Sequence, residues 1–207
     1  KGGHSGFDID KHRGNASLLL ANILKDINDI KLINFIGGTK FNVIPSESKS
    51  VFYTKLKFKE IKVLAEKHKK NLDNKFKNIS IEVKKLKNEE NKKSNNNGES
   101  LIQETENNIK KREFSDNMLT SYLDEKQSKK FLQSISTFPH GVLNKNERGD
   151  VTTSINLGVV NLKENEIKVG VRSSRKEEEN NCLKKLKEYC NNNSFEFIIL
   201  SSQPSFR

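Results

Sequence analysis

No stretch of this 207-residue chain is apolar for long enough to cross a membrane as a helix, and no signal-peptide pattern stands near its first residues. Cysteine is scarce. Cys182 and Cys190 are eight positions apart, which on one helix is ~12 Å and too far for a disulfide. Two unbridged thiols suit a reducing cytosol. Methionine occurs once, at Met118, and not at position 1; with the broken turn "SSQPSFR" at the end, the chain reads as a piece of a longer protein. Metal-ligand spacing is missing as well. His4 lies in "KGGHSGFDID" without a second histidine, cysteine or carboxylate placed to share an ion.

Charge is abundant instead. Apolar residues make up 32% and charged residues 31%, so long stretches must be solvated helix faces or loops. The net charge of +11 raises nucleic-acid binding as a function class. The excess is lysine mixed with acids along helical stretches such as "KFKEIKVLAEKHKKNLDNKFKN", which favours a solvated surface. No aromatic pattern of the RNA-binding kind occurs in the strands.

Periodicity orders the elements. "GNASLLLANILKDIND" places Leu18, Leu19, Ile23 and Ile27 at helical spacing, with Asn15 as N-cap. "KLINFIGG" and "SVFYTKLKF" read as strands, and Pro45 in "FNVIP" interrupts pairing. An amphipathic helix follows over 59–78, then an alternating strand "ISIEVKKL" and a polar stretch to about position 112. The second half repeats the order: a helix over 122–136, a turn "FPHGVL", strands "VTTSINLGVVNL" and "EIKVGVRSS", a helix "RKEEENNCLKKLKEYCNNN" and a last strand "FEFIILSS". The fold expected is α+β, two tandem split β-α-β (ferredoxin-like) repeats with an antiparallel-rich sheet and helices on one face. The repeats span about 1–87 and 116–207, with a polar insertion at about 88–115.

Three stretches in order, "KGGHSGFDIDKHRGNASLLLANIL", "GGTKFNVIP" and "TSINLGVV…VGVRSS", resemble the lid domain of the aminoacyl-histidine dipeptidases. These are di-zinc metallopeptidases related to carnosinase. The resemblance implies a lid and dimerisation domain whose zinc-binding catalytic domain lies outside this sequence. It implies no cofactor within the chain, two zinc ions in that other domain, a dipeptide substrate and a cytoplasmic location. The partners it implies are the chain's own catalytic domain and a second copy in a homodimer, with neither nucleic acid nor membrane.

The same resemblance assigns three residues. His4 would stabilise the oxyanion of the transition state, although a lone histidine in a glycine-rich N-terminus is by itself an ordinary surface residue. Asn42 would contact the substrate backbone or the same oxyanion, where an Asn after Gly-Gly otherwise hydrogen-bonds its own turn. Arg172 would grip the C-terminal carboxylate, a task its planar fork suits, where a strand-edge arginine otherwise pairs with an exposed acid. Arg175 is a weaker candidate. His12, His68 and His140 read as ordinary side chains, and Glu177 to Glu179 as first-turn acids favourable to the helix dipole. The alternatives are a nucleic-acid-binding module and a purely structural dimerisation module.

Overall fold

Asn15 starts the first helix, α1 (Ala16–Leu24), by accepting from the backbone N–H groups of Ser17 and Leu18. Its amide nitrogen also donates to the Leu157 carbonyl at 2.8 Å, so one side chain caps the helix and fastens it to a strand. The computed structural model describes residues 2–76, 78–86 and 122–200. In chain order the elements are β1 (Gly3–His4), α1, β2 (Lys31–Gly37), β3 (Val43–Ile44), β4 (Ser48–Tyr53), α2 (Phe58–Asp73), α3 (Glu125–Ser136), β5 (Gly141–Lys145), β6 (Val151–Asn161), β7 (Glu166–Ser173) and α4 (Lys176–Asn192). The expected polar insertion lies outside the described residues.

The fold is α+β with antiparallel pairing throughout. The main sheet runs β4-β2-β6-β5, with β7 also paired to β6. β2 touches β6 only at Ile36–Asn161 and Gly37–Val160, so two hairpin-like halves join through the end of one long strand. A small ribbon pairs β1 with β3.

The two faces of β6 differ in chemistry. Ile155 and Leu157 point into one core with Ala21 and Leu24 of α1, Leu132 and Ile135 of α3, and Cys182 and Leu186 of α4. The alternate residues Ser154 and Asn156 point the other way, yet are also buried. Glycine at 158 coincides with a register shift between Leu157 and Val159, after which Val160 joins the core instead of Val159. The helices cover the apolar face, and residues from the N-terminal turn and the 38–45 loop cover the polar one.

Four expected elements differ. "SVFYTKLKF" stays in the ladder only to Tyr53, and Phe58 opens α2. "FPHGVL" is not only a turn: Gly141 takes a φ of +113° and opens β5, which pairs with β6. Residues 79–86 and 195–200 make no strand ladder. Ile79, Ile81 and Val83 are half-buried between exposed neighbours, so their alternation records one-sided packing rather than pairing. Phe197 packs against the core while Ile198, Ile199 and Leu200 stay exposed. An alternating pattern specifies which side is covered; pairing further needs a free strand edge in register.

Candidate functional site

The polar face of the sheet gathers the candidates. The N-terminal turn is closed by the His4 carbonyl, which accepts from Phe7 N–H at 3.1 Å and Asp8 N–H at 2.9 Å. β1 holds the turn to β3 with His4 opposite Val43, and the Ser5 N–H donates to the Asn42 carbonyl at 3.0 Å. The backbone at His4 and the backbone at Asn42 are therefore neighbours.

Arg172 reaches the same place from β7. It stands opposite Ser154 in the ladder, on the face shared with Asn156 and Gly170. A methyl group at Gly6 would collide with the Arg172 guanidinium and come within 3.2 Å of His4 Cε1. The bare backbone at position 6 lets the arginine and the imidazole both close on it. Arg172 is exposed, and among the described residues no carboxylate lies within ion-pair distance of it.

One hydrogen bond fixes which nitrogen of the His4 ring is the acceptor. The Gly6 N–H donates to His4 Nδ1 at 3.2 Å. In the neutral ring the proton therefore sits on Nε2, which makes Nε2–H a hydrogen-bond donor. The ring rests against Phe7, with centroids 5.2 Å apart at 37°, and Phe7 is 75% exposed.

Asn156 holds the loop that carries Asn42. Its amide nitrogen donates to the Phe41 carbonyl at 2.6 Å and to the Val43 carbonyl at 3.0 Å, bracketing Asn42 from beneath. Gly158 and Gly170 provide the seat. A methyl group at either would press on the Phe41 carbonyl oxygen, at 2.5 Å and 2.9 Å respectively. These three residues are not evident as site residues in the sequence, where only glycines inside two apolar strands hint at a close backbone approach. We expect Asn156→Ala to destabilise the chain by about 2 kcal/mol, since two carbonyls lose their donor in a buried place. Urea unfolding measures this; a loss below about 0.5 kcal/mol would show that the clamp carries no weight.

The other titratable candidates are occupied elsewhere. Arg175 pairs with Glu178 at 3.3 Å, and His68 meets Asp26 at 2.9 Å. His12 is exposed at a φ of +49°. His140 accepts the Leu157 N–H on Nδ1 at 3.3 Å, and burial pushes it down to about 4, so it is a neutral backbone acceptor. Glu178 does more than favour the α4 dipole. It accepts from Thr153 at 2.5 Å and Thr152 at 2.8 Å, and these hydroxyls hold its carboxyl below the usual range. Among the described residues no three His, Cys, Asp or Glu side chains gather in a way that could hold a metal ion. Among them also, no helix is long and apolar enough to cross a membrane.

The chain is 32% identical over 176 residues to the cytosol non-specific dipeptidase of Escherichia coli (strain K12), covering 82% of this chain and 31% of that protein. Its fold matches the aminoacylhistidine dipeptidase of Vibrio alginolyticus with a TM-score of 0.65 at 21% identity, over 94% of this chain and 36% of that one. These likenesses support assignment to the dipeptidase family, and the chain spans about a third of the length of the curated relative it matches. No protein-family model matches it.

Proposed function

We propose that this chain is the substrate-binding lid of a zinc-dependent cytoplasmic dipeptidase. The observation that carries the proposal is the meeting of His4 and Arg172 across Gly6, with Asn42 held beside them. An unpaired guanidinium suits the C-terminal carboxylate that every dipeptide presents. An Nε2–H donor within the same cluster suits the scissile carbonyl oxygen, which gains negative charge as the carbonyl becomes tetrahedral. Asn42 is half-buried with its backbone beside the His4 turn, and its amide would supply one more donor and acceptor for the substrate backbone.

In this reading Arg172 fixes the peptide by its end and so selects for short substrates. His4 acts on the reacting oxygen and contributes more to the transition state than to the bound substrate. The two zinc ions and the hydrolytic water belong to a catalytic domain contributed by chain outside these residues. A homodimer formed through this domain fits the same reading.

The experiment is to assay the 207-residue chain alone. We expect no zinc retained in equilibrium dialysis and no dipeptide turnover, with both restored when the remaining length typical of its relatives is present. Turnover by the chain alone would overturn the division of labour.

A further inference from the structure

The N-terminal turn is gripped from a side that the substrate contacts do not use. One Asp8 carboxylate oxygen accepts the His4 backbone N–H at 3.0 Å. The other is bound by Arg13 Nη2 at 2.8 Å and by Lys11 Nζ at 2.9 Å. The second nitrogen of the Arg13 fork, Nη1, donates to the Gly2 carbonyl. One guanidinium thus spans from the residue two before His4 to the carboxylate that holds His4 itself.

The clamp leaves no room for a side chain at position 3. A methyl group on Gly3 would lie 2.5 Å from Asp8 Oδ2 and 2.8 Å from Arg13 Nη1. The Asp8 side chain is only 15% exposed, whereas Lys11 is 58% exposed and adds little in water. On the opposite edge, β1 is held by its ladder to β3. The backbone at His4 is therefore fixed from both edges, and the imidazole is oriented by the Gly6 N–H and by the Phe7 ring it rests against.

We propose that Asp8, bridged to Arg13, is a positioning residue for His4. The carboxylate fixes the His4 backbone, which fixes where the ring meets Gly6 N–H, which keeps the ring proton on Nε2. The role of His4 in hydrolysis rests on the reading above; the orientation of its ring does not. Catalytic donors misplaced by about 1 Å lose on the order of 10²-fold in rate.

Two readouts separate these claims. In the 207-residue chain, nitrogen NMR at a pH where the ring is neutral should show His4 Nδ1 as an unprotonated acceptor and Nε2 as protonated. In Asp8→Ala the two nitrogens should average as the tautomers exchange. Arg13→Gln keeps the carboxylate and removes the fork, and it should shift the ring partway should Asp8→Ala not fold. In the full-length protein, Asp8→Ala should lower kcat about 30- to 100-fold with KM within about threefold. An unchanged ring tautomer in both variants overturns the inference, whatever the rates. If instead the tautomer is lost while His4→Ala leaves kcat intact, the positioning stands and the catalytic reading of His4 falls.

Discussion

His4→Ala in the full-length protein is expected to lower kcat by about 10²- to 10³-fold, with KM for a dipeptide nearly unchanged. Removing one donor from a developing oxyanion costs about 3–4 kcal/mol at the transition state and little in the ground state. The ring's other nitrogen already accepts from the Gly6 N–H, so Nε2–H is the donor the ring has to offer. Phe7 cannot substitute, because its ring carries no donor. His4→Gln should recover part of the rate if its amide reaches the oxygen, since geometry and not basicity is the requirement. A variant with wild-type kcat would remove His4 from the reaction. Steady-state kinetics on one dipeptide measures the effect.

The second large effect is expected at Arg172. Arg172→Gln should raise KM about 10²-fold for dipeptides and change kcat far less, because the carboxylate contact is made equally in ground and transition states. The informative comparison uses a dipeptide and its C-terminal amide. Wild-type protein should prefer the free acid strongly, and the variant should treat the two about alike. Arg172→Lys keeps the charge but not the fork, and should fall between. Among the described residues no carboxylate pairs with the wild-type guanidinium, so the substitution strands none of them. A variant that keeps the preference for the free acid would place carboxylate recognition elsewhere.

Much of this arrangement is readable from residues. The spacing of Leu18, Leu19 and Ile23 and the cap at Asn15 define α1, and the structure starts that helix at Ala16. Both halves run helix, strands, helix, but each holds three strands where periodicity gives two, β3 being added in the first and β5 in the second. What periodicity cannot show is partnering. "ISIEVKKL" and "FEFIIL" alternate or cluster as strands do, but their ladders are not made. "FPHGVL" carries turn residues and still opens a strand, because Gly141 absorbs the positive φ.

The site divides along the same line. The resemblance points to His4, Asn42 and Arg172, and the fold gathers them through a ladder pair, a backbone hydrogen bond and a glycine contact. The residues that do the gathering lie far off in sequence or look ordinary. Asn156 is 113 positions from Val43, whose carbonyl it holds, and a polar residue in a strand carries no local sign of such a partner. Asp8 is four positions from His4, but a carboxylate in "GFDIDKHRG" reads as surface charge until Arg13 is seen to bind it. Glu178 is hidden among three consecutive acids whose first-turn position already has an electrostatic explanation.

The reading as a whole depends on an imidazole that serves the peptide only while its bond is breaking. The most direct measurement is the affinity of full-length His4 variants for a phosphinic dipeptide analogue, whose tetrahedral oxygens imitate that moment. Affinity should decline in step with kcat/KM across the series, by about the same factor each time. Analogue binding that stays constant while the rate drops would contradict it.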